Sequence, residues 1–175
     1  MSKMCLILLL TSTLLLGCTP THSTLVPSDA TKISWNPEVT LTLADAERIL
    51  GEDAHLSETL SYLDGSTKVY TSTYLSNKRD EKSGKTGAIY YMIEEYKNIE
   101  SARLAYESIR AANEKAMGVV PLSGVGSEAY YHSDGENFLF VLIRNDNFMI
   151  RMKVNKITSH TDKAAFKEVY TSFWR

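Results

Sequence analysis

The chain has 175 residues, of which 43% are hydrophobic and 23% are charged, and its formal net charge is −2. This length and composition suit one globular domain with a real hydrophobic core. A balance this close to neutral does not indicate nucleic acid or an anionic lipid surface as a partner.

The first 18 residues have the pattern of an export signal that ends in a cysteine. Lys3 is followed by an apolar run over residues 4–16, which is shorter than the roughly 20 residues of a membrane-spanning helix. The sequence Leu-Leu-Gly-Cys at positions 15–18 closes this run and resembles the lipobox of bacterial lipoproteins. The resemblance implies that residues 1–17 are removed as a signal peptide and that Cys18 receives a lipid, which anchors the protein to a membrane.

The residue after the cysteine indicates to which membrane the protein is expected to go. Thr19 stands there instead of Asp, so in a Gram-negative host the resemblance implies the outer membrane, facing the periplasm. Residues 18–38 contain three of the four prolines of the chain among many Ser and Thr, which predicts a flexible tether behind the lipidated residue. Residues 39–175 are then expected to form a single domain, and that domain contains no cysteine and hence no disulfide.

The periodicity of apolar residues predicts the elements of this domain. Helices are expected at 43–50, 99–117 and 162–174, and strands at 68–76, 88–97, about 129–131, 138–143 and 148–155. Residues 52–66 fit neither pattern clearly. The short links between strands predict an α+β fold in the order α-β-β-α-β-β-β-α, with an antiparallel sheet of about five strands and helices packed on one face.

Three residues are predicted to cap these helices. Thr42, with Asp45 three residues later, has the spacing of a capping box at the start of the first helix. Asn98 precedes the second helix and Thr161 the third, and both residue types accept hydrogen bonds from free backbone amides at a helix start.

No motif predicts catalysis, a cofactor or a metal. Ser83–Thr86 resembles the end of a phosphate-binding loop, but the required earlier Gly and the following helix are missing. Gly124–Ala129 has the spacing of a dinucleotide loop, yet a turn follows too soon for its helix. His132, Ser133 and Asp134 are neighbours in a turn, where their side chains point apart. The histidines lack metal-ligand spacing, so we expect a non-catalytic protein without cofactor or metal.

The tyrosine content suggests a binding surface, since ten tyrosines is a high number for this length and several alternate along predicted strands. If Ile89, Tyr91 and Ile93 face the helices, then Tyr90, Met92 and Tyr96 face away. A sheet face rich in Tyr, Met and Arg has the composition of a protein interface. The candidate residues are Tyr70, Tyr74, Tyr90, Met92, Tyr96, Met149 and Arg151. The alternative is that tyrosine simply suits any half-buried sheet.

Two functions fit these observations. The first is a membrane-anchored envelope lipoprotein whose domain binds another envelope protein, without catalysis. The second is a small-ligand carrier or sensor with a pocket between helices and sheet, lined by Tyr106, Met117, Phe138 and Trp174. A third, an envelope hydrolase, requires that folding bring a His, a Ser and a carboxylate together. Apart from the lipobox, the domain resembles only small envelope lipoproteins as a class.

Overall fold

The structure is a computed structural model, which describes residues 30–34 and 37–173. The predicted signal peptide, Cys18 and most of the predicted tether lie outside the described residues, as does Trp174. The strands are β1 (Thr31–Lys32), β2 (Ala54–Asp64), β3 (Thr67–Ser76), β4 (Ala88–Glu95), β5 (Val119–Leu122), β6 (Glu128–Ser133), β7 (Phe138–Asn145) and β8 (Phe148–Asn155). The helices are α1 (Leu43–Leu50), α2 (Ile99–Asn113) and α3 (Lys163–Ser172).

The strands form one eight-stranded sheet in the order β1-β2-β3-β4-β8-β7-β6-β5, and every neighbouring pair is antiparallel. The prediction of about five strands in the order α-β-β-α-β-β-β-α is therefore wrong. The strands that it lacks are β1, β2 and β5. All three lie at or next to a sheet edge and contain consecutive exposed residues, so both of their faces meet solvent and the alternation that marks a strand in sequence is weak.

Two of these strands also carry misleading residues. In β2, Leu56, Leu60 and Leu63 have nearly helical spacing, and a bulge between Leu56 and Glu58 interrupts the alternation. The four residues of β5 include Pro121, and proline is tolerated only at the edge of a sheet because it cannot donate to the ladder. An edge strand with such a sequence is easily read as a loop.

The helices pack on both faces of the sheet, so the prediction that they share one face is also wrong. On the first face, α1 and α3 contribute Ile49, Leu50 and Phe166 to a core with alternate residues of the central strands. On the second face, Tyr106 of α2 packs with Tyr130 and residues of β7 and β8. The cause lies in β7, where four consecutive residues from position 141 are buried and leave no exposed face.

The chain reaches α1 across the first face. The hydroxyl of Tyr91 donates to the Val39 carbonyl oxygen at 2.8 Å, and the hydroxyl of Tyr74 donates to the Leu41 carbonyl oxygen at 2.7 Å. Upstream, β1 falls within the predicted tether and pairs with the end of β2. The part of the chain that joins the sheet thus begins before residue 39.

Candidate interaction surface

Three of the predicted binding residues come together on the second face. Met92 of β4 lies opposite Arg151 of β8, and Tyr90 lies opposite Lys153 in the same ladder. All four side chains are partly exposed. Because alternate residues of a strand share a face, this pairing sets an aromatic and a sulfur-containing side chain of one strand beside two cations of the next.

The other predicted residues are divided between different surroundings. Tyr96 follows β4 and packs at the border of the α2 cluster, whereas Met149 is fully buried within that cluster. Tyr70 and Tyr74 oppose Ile93 and Ile89 in the β3–β4 ladder, which places them on the first face with the helices α1 and α3. The seven predicted residues therefore do not form one surface.

None of the described helices makes its main contacts with the β2–β4 part of the second face. On this face α2 packs over β7 and β8, while the helix that contacts β2, β3 and β4 is α1, on the first face. We call the uncovered area the open face. It is formed by Glu58, Leu60, Tyr62, Val69, Thr71, Thr73, Tyr90, Met92, Glu94, Arg151 and Lys153.

The open face is not flat, because side chains of different size lie next to one another on it. The β3 residues Val69 and Thr71 are only 3% and 6% exposed, and the larger residues Tyr62 and Met92 are their ladder partners in β2 and β4. We call this row of smaller β3 residues the furrow. Tyr90 and Met92 of β4 are partly exposed and form a ridge beside this furrow. A ridge of large side chains next to small ones offers a partner both anchors and a recess.

A charged pair lies within this apolar and aromatic setting. Glu94 Oε2 is 2.9 Å from Arg151 Nη2, and the two side chains are 12% and 31% exposed. The atoms are close enough for an ion pair, but neither Glu94 Oε2 nor the buried Arg151 Nε has an aligned hydrogen-bond partner among the described residues. Burial raises the pKa of Glu94, and the nearby Arg151 opposes that rise.

The tyrosines of the open face remain hydrogen-bond donors at neutral pH. Burial raises the pKa of Tyr90 to about 12, and burial also raises the pKa of Tyr62. Tyr62 and its neighbour on the same face, Leu60, were not among the predicted residues because β2 itself was not predicted. Their two-residue spacing was the signal that could have revealed them.

A separate cleft opens between α2 and the strands β5 and β6, on the far side of α2 from the open face. Its volume is 390 Å³, and Tyr106 and Tyr130 form part of its wall together with Arg110, Glu114 and Glu128. Of the three predicted pocket residues that the structure describes, only Tyr106 lies here. Met117 is 92% exposed, and Phe138 packs against His132 with ring centroids 4.9 Å apart.

A cavity of 540 Å³ lies at one end of the sheet, where three loops meet around Asp80. The Asp80 carboxylate accepts five hydrogen bonds, from Lys82 and from both the amide and hydroxyl groups of Ser83 and Ser159. These bonds, that of the Ser83 hydroxyl foremost, hold the pKa of Asp80 well below its usual range. Asp80 is 3% exposed, though loop atoms and not the core shield it.

This cavity contains the residue types of a hydrolase triad, but the hydrogen bonds between them do not follow the order from Ser to His to Asp. His160 Nε2 lies 3.8 Å from Asp80 Oδ1, while the hydroxyls of Ser83 and Ser159 both donate to Asp80. A nucleophilic serine must donate to the histidine that acts as its base, and neither hydroxyl does so. The arrangement therefore explains how the loops are held together and does not supply an acyl-transfer site.

The turn that contains His132, Ser133 and Asp134, which are also residue types of a hydrolase triad, has a structural role as well. The Ser133 hydroxyl donates to the Phe138 carbonyl oxygen at 2.7 Å, and Asp134 accepts the backbone amides of Glu136 and Asn137. These are local bonds that close the β6–β7 turn. Ser133 thus donates to the backbone and not to His132.

No family model, curated protein or solved structure matches the chain. In the described ranges, no group of three or more His, Cys, Asp or Glu side chains is placed to hold a metal ion. Over the same residues, none of the helices is long and apolar enough to cross a membrane.

Proposed function

We propose that this protein is a lipid-anchored envelope lipoprotein whose open face binds another envelope protein without catalysing a reaction. The lipobox resemblance at Cys18 supplies the anchor, and the tether displays the domain near the membrane surface. In a Gram-negative host the protein lies at the outer membrane and faces the periplasm. It requires no cofactor, metal or nucleic acid.

The observation that carries this proposal is the buried, unpaired Nε atom of the partly exposed Arg151 on the open face. Its Nε atom is buried without a hydrogen-bond acceptor, and leaving a buried donor unpaired is costly. A protein partner that covers the β4 ridge would complete the burial of Tyr90 and Met92 and bring an acceptor to the exposed part of the Arg151 side chain. Tyr and Arg at the centre of an interface commonly contribute most of its binding energy.

Site-specific photocrosslinking tests the proposal in the native membrane. The full chain carries a photoreactive phenylalanine derivative in place of Tyr90 in one variant and in place of Tyr131 in a matched control. Tyr131 is also a partly exposed strand tyrosine, but it packs against Phe166 of α3 on the first face. We expect one discrete protein adduct from position 90 only.

The charge reversal Arg151→Glu, added to the position-90 variant, is expected to abolish that adduct. The proposal is contradicted if illumination yields no adduct from position 90, or if the same adduct also forms from position 131. Circular dichroism of each variant shows whether the fold is retained, so that loss of the adduct reports on the surface.

A second candidate function, a small-ligand carrier or sensor, is favoured by the cleft beside α2. Its volume of 390 Å³ falls within the range of small-molecule sites, about 300–1,000 Å³. The cleft also lies between a helix and the sheet, with Tyr106 in its wall. The two functions use different surfaces of the domain, so a ligand in the cleft leaves the open face free.

A further inference from the structure

The cleft beside α2 is lined by a tyrosine whose hydroxyl has no hydrogen-bond partner among the described residues. Tyr106 is 2% exposed, yet its hydroxyl makes no hydrogen bond with any described residue. Tyr130, whose ring centroid lies 6.2 Å away, instead has Asn113 Nδ2 at 3.5 Å from its own hydroxyl. Because Tyr106 lines the cleft, its hydroxyl is a candidate donor to a molecule bound there.

Two opposite charges lie on the rim of the cleft without being paired. Arg110 and Glu114 are four residues apart at the end of α2, a spacing at which opposite charges often pair. Both line the cleft, but neither makes an ion pair with a described residue. By contrast, Arg103 on the same helix pairs with both Glu100 and Glu107.

The remaining charge in the cleft is already compensated. Glu128 Oε2 accepts from the nearly buried Arg144 Nε at 2.7 Å, so this carboxylate adds little net charge to the site. The wall also includes the apolar side chains Val119 and Pro121 of β5. A ligand therefore meets an apolar and aromatic wall, one cation and one free carboxylate.

We propose that this cleft binds a free amino acid with an apolar or aromatic side chain, an inference that specifies the second candidate function. The ligand carboxylate accepts from Arg110 and from the Tyr106 hydroxyl, and its ammonium group donates to Glu114. The side chain lies against the Tyr106 and Tyr130 rings. A zwitterion matches both rim charges, whereas a simple carboxylate or amine leaves one of them without a partner.

Isothermal titration of the full chain in mild detergent tests this inference. The probes are L-phenylalanine, L-leucine and L-tyrosine, with 3-phenylpropionate lacking the ammonium group and phenethylamine lacking the carboxylate. We expect saturable binding of at least one amino acid. The two analogues should bind roughly ten- to a hundred-fold more weakly, because each loses a charge-assisted hydrogen bond.

Matched variants on α2 locate the site. Arg110→Gln and Glu114→Gln are expected to weaken binding roughly tenfold or more, whereas Arg103→Gln and Glu107→Gln on the same helix leave it unchanged. Tyr106→Phe removes only the unpaired hydroxyl and should weaken binding without unfolding the domain. The inference is overturned if no amino acid binds at millimolar concentration, or if the control variants weaken binding equally.

One further result separates the ligand class from the carrier function. If 3-phenylpropionate or phenethylamine binds as tightly as L-phenylalanine and Arg110→Gln or Glu114→Gln still weakens it, the cleft is a small-ligand site but not one for amino acids. Absence of binding by every probe contradicts the amino-acid inference, and the photocrosslinking experiment on the open face is unaffected by that result.

Discussion

At the scale of single residues, Asp80 connects parts of the chain that are far apart in sequence. Its carboxylate joins the β3–β4 loop to Ser159, 79 residues away, in the loop before α3. Asp134 is a useful contrast, because the described partners of its carboxylate are backbone and side-chain groups of its own turn. Both carboxyl groups have a pKa held well below the usual range by hydrogen bonds, but only Asp80 holds two loops together.

We therefore expect Asp80→Asn to lower the thermal midpoint at pH 7 more than Asp134→Asn does. A carboxyl group whose pKa is depressed in the folded state stabilises fully above its unfolded pKa, here 3.8, and loses that contribution as the pH falls further. The difference between wild type and Asp80→Asn should thus shrink below pH 3.8. Thermal unfolding followed by circular dichroism from pH 7 to pH 2 checks this, and a constant difference over that range would contradict it.

At the scale of elements, the position of α2 decides which part of the sheet is open. Leu142 of β7 is fully buried in the cluster beneath α2, whereas Leu104 of α2 itself is 54% exposed. The two residues have the same side chain at positions that differ in burial. Had all helices packed on one face, Leu142 would have been exposed and the open face would have extended over β7.

The matched substitutions Leu142→Ala and Leu104→Ala test this placement. Leu142→Ala leaves a cavity and should lower the free energy of unfolding by about 2–5 kcal/mol. Leu104→Ala removes an exposed side chain and should change it by about 0.5 kcal/mol or less. Urea denaturation measures both values. Similar values for the two variants would mean that α2 does not cover β7.

At the scale of the whole molecule, the proposed function depends on the anchor. The described residues begin at position 30, in front of β1, and β1 pairs with the end of β2 that carries Tyr62 of the open face. An anchor at Cys18 would thus hold the open face close to the membrane that carries the lipid, because 11 residues lie between Cys18 and position 30. A chain of this length extends to roughly 40 Å at most.

Mass spectrometry of the protein extracted from its own membrane tests the anchor. We expect a chain that begins at Cys18 and carries the added mass of a diacylglyceryl group, since the lipobox resemblance implies cleavage after Gly17. Cys18→Ser should remove the lipid and release the protein from the membrane fraction. If the wild-type protein carries no lipid, the domain is not anchored in this way, and the binding surfaces must then be studied in solution.

Local features of the fold were predictable from sequence because they depend on neighbouring residues. The capping box of Thr42 and Asp45 forms as predicted, and Asn98 caps α2 as predicted. The predicted cap at Thr161 is wrong, since the next residue, Asp162, accepts the free amides of α3. A shift of one residue is the scale of error expected where two candidate caps are adjacent.

Features that depend on pairing between distant segments were not predictable. Alternation along β3 puts Tyr70 and Tyr74 on one face, but only the register against β4 shows that this face is the one with Ile89 and Ile93. A one-residue shift of that register would have moved both tyrosines to the open face. The cleft is another such feature, because it joins Tyr106 to β5, a strand that the sequence pattern did not reveal.

The short strand β1 has a mechanical consequence. A pull on the chain from the side of the membrane would reach Thr31 and Lys32 first, and their pairing with β2 would give way one bond at a time. Release of this strand lengthens the extended chain in front of the domain by roughly 10 Å. The load would then pass to the Val39 and Leu41 carbonyls, which are held by buried tyrosine hydroxyls. The edge strand would therefore separate from the sheet before the force acts on the core.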